Sequence, residues 1–401
     1  MKAAASAEPG PAIASHHDVL CFSHHRWDLA VQRPQHLLGR FARERRVFYF
    51  EEPLRGRPRI EVKNRGSRVM VVTPHVPAGL DEAEEEALLR QLLNRLIEVE
   101  EIDRPIAWFY TPMALGFADH LQSAVTVYDC MDCVDELGGF VGAPPALAAR
   151  ERDLLGRADL VFTASEGLYA AKRREHPRVI PCPGGIDREH FARAREPLPE
   201  PPDQADIPRL RLGFCGVIDE RMNLDLVAGI ADERPDWHLV MLGPLGKLDP
   251  GSLPRRANIH WLGARPYADL PAYIAGWDVA IMPYAHNAAT RCTGPTETPE
   301  YLAAGKPVVA TAIRDVVHPY ADRSLIAIAD TPDMFVAASL RELMRCDQHW
   351  LRRVDDHLAG CSWDDTWSRM HRMIAQSLAD RTRARARRSA DLAFGVCREV
   401  A

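Results

Sequence analysis

The chain reads as an α/β protein with two doubly wound domains of parallel strands. Three observations predict this. Short apolar runs recur along the chain, separated by helical patterns or long crossings, as parallel strands require. The alternation breaks at Glu196-Pro197-Leu198-Pro199-Glu200-Pro201-Pro202-Asp203, where prolines argue against any regular structure, and then restarts. Finally, 401 residues exceed one ordinary core, so two domains of roughly 200 residues are expected.

The elements follow in order. Asp18 to Ser23 is a first strand, and Pro34 suits the first turn of a helix from Arg33 to Arg43. Val47 to Phe50 and Arg68 to Val72 are the next strands. Asp81 to Val99 is a helix with acidic residues gathered at its N-terminal end, where the backbone dipole favours them. Strands at Ile106 to Tyr110 and Val125 to Asp129 precede a helix from Pro145 to Arg157. A strand at Leu160 to Thr163, a helix at Glu166 to Arg174 and a strand at Val179 to Pro181 follow. After the proline-rich crossing come a strand at Leu212 to Gly216, a helix at Leu224 to Glu233, and strands at Trp237 to Leu242 and Ile259 to Trp261. A helix at Tyr267 to Ile274, a strand at Val279 to Pro283, a short helix opening at Thr298 and a strand at Pro307 to Ala310 complete the second alternation. Trp363 to Leu378 is a long final helix. Two such domains define a deep cleft, the usual ligand location in folds of this class.

Composition narrows the function classes. A net charge of -6 argues against a general nucleic-acid binder. No stretch has the length and apolarity of a membrane span. Residues 1–17 lack a signal-peptide core and read as the flexible leader of a cytoplasmic protein. Nine cysteines, an odd number in a large chain, do not suggest a disulfide framework. Cys130 and Cys133 have redox or zinc spacing but lack a second Cys/His pair at ligand spacing, so no metal site is expected. The tail from Arg381 to Arg388 is strongly basic. A solvated tail or the face of an end helix is the plain reading, and peripheral contact with an anionic membrane or nucleic acid the alternative.

The most informative stretch runs from Gly294 to Ala310. Free amides at the start of its helix, around Thr296 and Thr298, can hold a diphosphate, and Glu300 in the first turn can accept bonds from ribose hydroxyls. Three loops would converge there. Gly216 allows close backbone approach, and Arg221 can pair with a diphosphate. Gly243 lies in a turn that could border the nucleotide, and Tyr284 leads into the helix itself. In the first domain, His24, His25, Arg26, Trp27 and Arg33 form the loop and helix start suited to an acceptor. Trp27 can stack on a sugar ring or simply pack, and His25 has the pKa range of a base. Asp129 and Asp132 follow a strand, where either binds sugar hydroxyls, polarises an acceptor or caps the next segment.

On these residues the chain resembles the retaining GT-B glycosyltransferases of family 4, whose two Rossmann-like domains face each other across a cleft. The resemblance spans about 18 to 378. It is carried by Asp159 to Ser165, Val179 to Asp187, Asn258 to Gly263 and Glu300 to Val309. Ser23-His24-His25-Arg26-Trp27-Asp28, with Gln32 to Leu37, resembles a bacterial subgroup associated with polysaccharides or secondary metabolites.

The resemblance implies transfer of a sugar from a nucleotide-diphosphate sugar, UDP- or GDP-linked, to a saccharide or small-molecule hydroxyl with retention. It implies no resident cofactor. It places Glu300 as the second, ribose-binding glutamate of an E-x7-E element, while the placement of Arg221, Asp129 and His25 along the chain puts those three forward for catalysis. The first glutamate falls at Cys292, Glu297 stands where the subgroup often has lysine, and Arg291 can supply positive charge nearby. A catalytically silent sugar-nucleotide-binding partner, or an epimerase of the same fold, is the alternative. The expected domains are 18–192 on the acceptor side, a linker at 193–208, a nucleotide-sugar domain at 209–361, a helix at 362–378 crossing back, and a basic tail at 379–401.

Overall fold

The computed structural model describes residues 17–29, 31–66, 68–131, 145–246, 248–345 and 347–396, with side chains through 387. The leader through residue 16, Asp132 and Cys133 lie outside the described residues. The chain divides into two compact units, one of 1–29, 34–127 and 378–401, the other of 30–33 and 128–377. Two elements, α1 (Arg33–Phe41) and β7 (Val125–Cys130), run across that division.

The first unit holds β1 (Val19–Ser23), β2 (Val47–Glu51), β3 (Leu54–Arg55), β4 (Arg59–Asn64), β5 (Val69–Val76) and β6 (Ile106–Phe109). They pair in the order β3-β5-β2-β1-β6, all parallel, with β4 antiparallel on β5. Every residue of β1, β2 and β6 is buried, so these strands read as continuous apolar runs rather than as alternation. Between β5 and β6 lies α2 (Glu82–Val99). It starts with a reciprocal capping box in which the Asp81 and Glu84 side chains each accept the other residue's backbone amide. The sequence does not announce β3 and β4. The residues of β4 are mostly exposed and polar, so no apolar run marks it, and pairing with β5 makes it a strand.

In the second unit, β8 (Leu160–Thr163) and β9 (Val179–Pro181) pair in parallel, joined through α3 (Glu166–Lys172) with Ser165 as its N-cap. The second sheet contains β10 (Arg211–Cys215), β11 (His238–Leu242), β12 (Ile259–Gly263), β13 (Val279–Met282), β14 (Val308–Ala310) and β15 (Ala327–Ile328). Its order is β12-β11-β10-β13-β14-β15, parallel throughout. Gly213 in β10 has a packing reason, since a Cβ there would lie 1.8 Å from the Trp277 ring.

Two expectations are corrected. The proline-rich stretch contains a helical turn, Pro202–Ala205, because proline at a first helical position gives up no bonded amide. Gln204 in that turn is buried and bonds the Trp277 indole and the Tyr273 carbonyl, each at 3.0 Å. The final helix runs from Trp363 to Val396, past Leu378, because the alanine- and arginine-rich continuation favours helix and carries no proline. Among the described residues, no helix is long and apolar enough to cross a membrane.

Candidate functional site

The residues singled out in the second sheet gather at the carboxyl ends of β10, β11 and β13. Backbone sets the floor. Gly216 donates its amide to the Leu242 carbonyl over 3.0 Å. Gly243 sits at φ +138 and packs so closely that a Cβ would fall 1.8 Å from the Gly216 carbonyl oxygen. Only glycine fits both demands.

Above this floor stands α4 (Glu297–Ala303). Its cap residue Thr296 makes no side-chain bond to the first-turn amides. Tyr301 anchors the helix: its buried hydroxyl accepts from the Cys215 amide at 2.7 Å and donates to the Cys215 carbonyl at 3.0 Å. Thr298 faces inward, fully buried, with its hydroxyl on the Met282 sulfur at 2.9 Å.

Two part-buried carboxylates project from the first turn. Burial pushes the Glu300 carboxyl well above its ordinary range, and the neighbouring charges of Glu297 and Asp187 push it the same way. Burial also raises Glu297, though its own backbone amide, Arg221 and a hydrogen bond from Tyr284 oppose the rise. Glu297 leans towards the glycine floor, with Oε1 2.9 Å from where a Cβ of residue 216 would sit. Tyr284 is buried, and desolvation together with the Glu297 charge holds its phenol far above the usual value.

Arg221 is already forked onto a neighbour. Nε lies 2.9 and 3.1 Å from the two Asp219 carboxylate oxygens, and one terminal nitrogen 2.6 Å from Oδ2. Burial disfavours its charge, yet the bonds to Asp219 and the fields of Tyr284, Asp219 and Glu297 outweigh that and keep it cationic. Asp219 is a residue that sequence reasoning passed over; nothing in a single loop aspartate announces that it will orient the arginine two positions on.

Also in the second unit, Arg33 and Asp129 come together. The Asp129 carboxylate is fully buried and takes Arg33 through Nε at 3.0 and 3.2 Å and a terminal nitrogen at 2.8 Å. The other terminal nitrogen donates to the Cys182 carbonyl at 2.8 Å. Both residues were singled out from sequence for separate roles; the structure makes them one buried ion pair. Asp132 lies outside the described residues.

In the first unit, the His24–Trp27 loop is organised by Glu51, which the sequence did not single out. Its oxygens accept from Arg26 at 2.9 Å, the Trp27 amide at 2.7 Å and Thr73 at 3.0 Å. Trp27 meets the Tyr49 ring edge-on, with centroids 4.9 Å apart, which fixes its indole by packing. The Tyr49 hydroxyl lies 2.7 Å from Ser23 Oγ and 3.0 Å from the His25 carbonyl. Burial pulls His24 down to about 4, so at neutral pH it is an uncharged ring, tilted against His25 with centroids 4.0 Å apart. Among the described residues, no group of three or more His, Cys, Asp or Glu side chains could hold a metal ion.

Residues 209–345 match the family model described as Glycosyl transferases group 1. That segment contains the second sheet, both glycines, Arg221 and α4. The chain is also 25% identical over 245 residues to TuaH of Bacillus subtilis, named as a teichuronic acid biosynthesis glycosyltransferase whose assignment is itself provisional. The match covers 58% of this chain and only 56% of that protein.

Solved structures align over nearly the whole length. Sucrose-phosphate synthase from Thermosynechococcus elongatus superposes with a TM-score of 0.70 at 14% identity, over 91% of this chain and 100% of its own. HepE from Anabaena, in complex with UDP and glucose, gives 0.62 at 12% identity, over 90% and 100%. The catalytic domain of starch synthase IV from Arabidopsis thaliana, bound to ADP and acarbose, gives 0.61 at 11%, over 91% and 100%. At these identities the likeness speaks for the fold, which is GT-B.

Proposed function

We propose that the protein is a nucleotide-sugar-dependent glycosyltransferase that moves a hexosyl group from a nucleotide-diphosphate sugar to a hydroxyl acceptor with retention. The observation that carries this reading is the arrangement at the start of α4, inside the segment that matches the group 1 family. A helix whose cap residue Thr296 makes no side-chain bond to the first turn faces a side-chain-free glycine floor, beside a cationic arginine and two carboxylates.

Each part has a task. The Gly216 and Gly243 backbone lets a diphosphate approach closely, and the first-turn amides from Thr296 to Thr298 supply donors. Arg221, oriented by Asp219, keeps its remaining donor, Nη1, outside that pair to compensate charge on the leaving diphosphate. Glu300 accepts from ribose hydroxyls, and Tyr284 shapes the wall beside it. Thr298 contributes its backbone, since its hydroxyl is committed to Met282. The acceptor falls to the domain read as 18–192, with His24, His25, Arg26 and Trp27 as its recognition loop. His25 is the candidate base and Asp129 positions Arg33. The protein supplies alignment and charge compensation, while the leaving diphosphate helps deprotonate the acceptor. UDP- or GDP-linked donors, a saccharide or small-molecule acceptor and a cytoplasmic location complete the reading.

A second reading, a silent sugar-nucleotide-binding partner, is favoured by one feature: Glu297 places a carboxylate where the diphosphate would approach the floor. A thermal-shift panel of UDP-, GDP-, ADP- and dTDP-sugars tests binding. Nuclear magnetic resonance of the anomeric proton in the product, or of sugar released to water, then tests turnover and retention. Stabilisation without any sugar release would support the silent partner, and no stabilisation by any nucleotide sugar would overturn both.

A further inference from the structure

The final helix, Trp363–Val396, changes character part-way along. Its first half is seated: Trp363, Met370, Ile374 and Ser377, spaced at helical intervals, are buried. From residue 379 to 387 every position is exposed, yet the backbone stays helical to Val396. That outer length carries Arg381-Thr382-Arg383-Ala384-Arg385-Ala386-Arg387-Arg388, a run of arginines without an acid among them, on a chain whose net charge is -6.

These arginines are committed unequally. Arg381 donates to the Ala124 carbonyl at 3.1 Å, which ties the root of the outer length to the residue before β7. Arg383 lies 3.1 Å from Asp380, an exposed pair that contributes little in water. Arg385 and Arg387 make no ion pair among the described residues. Arg381 and Arg385 stand four positions apart, as do Arg383 and Arg387, and like charges at that spacing repel on a helix. A helical surface that is cationic all round, with no acid partners inside the run, gains nothing from itself. An external polyanion relieves the repulsion.

We infer that residues 381–388 form a docking surface for an anionic lipid membrane. Two observations favour a bilayer over a nucleic acid. The arginines form one short run on an otherwise acidic chain, whereas a phosphate backbone is tracked by a wide basic footprint. Beyond them the helical backbone continues through Leu392, Phe394 and Val396, an apolar end that a bilayer interface accepts alongside the charges, two weak signals acting together. The contact is peripheral, on the surface rather than through it. It stands independently of the glycosyltransferase reading and would hold that activity at a membrane face.

Co-sedimentation of the intact protein with vesicles of equal parts phosphatidylcholine and phosphatidylglycerol, against phosphatidylcholine alone, tests this, with a fluorescent duplex DNA titrated separately. The expected result is partition into the anionic vesicles at least about tenfold stronger than into the neutral ones, lost as sodium chloride rises from about 0.05 M to about 0.5 M. Arg385→Gln with Arg387→Gln keeps the helix propensity and should weaken that partition by about tenfold or more. Arg314→Gln with Arg341→Gln, the same loss of charge at exposed positions elsewhere, should leave it unchanged. Equal partition into neutral vesicles, binding that survives the first double variant or falls as far in the second, or duplex DNA held more tightly than the anionic vesicles would each overturn the docking surface. UDP titrated on the same preparations reads the donor site separately. UDP binding without vesicle binding defeats the membrane contact alone, and vesicle binding without UDP binding leaves it standing.

Discussion

Tyr301→Phe removes a single oxygen from the link between α4 and the end of β10. The tyrosine hydroxyl holds both polar groups of the Cys215 peptide, its amide at 2.7 Å and its carbonyl at 3.0 Å. The ring is fully buried and meets Trp277 edge-on, with centroids 5.7 Å apart, so phenylalanine preserves shape and packing. Two hydrogen bonds at about 1 kcal/mol each, plus an amide left without its partner, give a loss of about 2–3 kcal/mol. For a unit of this size that corresponds to a fall of about 4–10 °C in melting midpoint. Because Cys215 leads directly into Gly216, the loosened strand end should also weaken UDP binding. Thermal denaturation followed by circular dichroism, with calorimetric titration of UDP on the same preparation, reads both quantities. A variant melting within about 1 °C of the parent with unchanged UDP affinity would refute the view that this hydroxyl holds the site together.

Four further outcomes are expected. Gly243→Ala, which forces a Cβ against the Gly216 carbonyl at a φ that side chains rarely adopt, should destabilise by roughly 3 kcal/mol or more and abolish UDP binding, read by urea unfolding and titration. Asp129→Asn leaves the Arg33 guanidinium buried without a counter-charge and should cost about 3–5 kcal/mol, whereas Arg33→Met combined with Asp129→Leu should recover much of it in the same assay. Glu297 has its folded pKa raised, so it holds its proton more firmly than in the unfolded chain; the associated stability is present at acid pH and lost as pH rises through the folded value. Affinity for UDP should fall over the same rise as the carboxylate charges, and Glu297→Gln should flatten that profile in titrations taken upward from the ordinary carboxylate range. Lys306, whose amine donates to the Ala275 and Trp277 carbonyls at 2.8 Å each, is pulled down to about 8 by burial. The unfolded chain then binds more protons between about pH 8 and 10, so stability from this group rises with pH there, and Lys306→Gln should remove that rise in urea titrations.

Much of the site was legible because its parts are local in sequence. Gly294 to Ala310 encodes a helix start, a turn and a buried strand in one segment, and the structure places α4 and β14 there. The buried strands of both units were equally readable, since burial on two faces leaves continuous apolar runs. The polar β4 was not, because its identity as a strand comes from a neighbour's free edge rather than from its own residues. Nor could the partners be read. Arg33 pairs with Asp129 at a sequence separation of 96, Glu51 organises a loop from 24 residues away, and Asp315 accepts the amides that open α3 from nearly 150 away.

The amino-acid order alone settled which kinds of group are present and which short elements carry them: two parallel-sheet alternations, a glycine-bearing loop, an arginine, a carboxylate at a helix start. Folding decided how those groups are used. Charge pairing depends on distance and burial, both of which are set by segments far apart in the chain. So Arg221 became an arginine steered by Asp219, Asp129 an interior counter-ion, and Glu297 a carboxylate raised by burial beside a glycine floor.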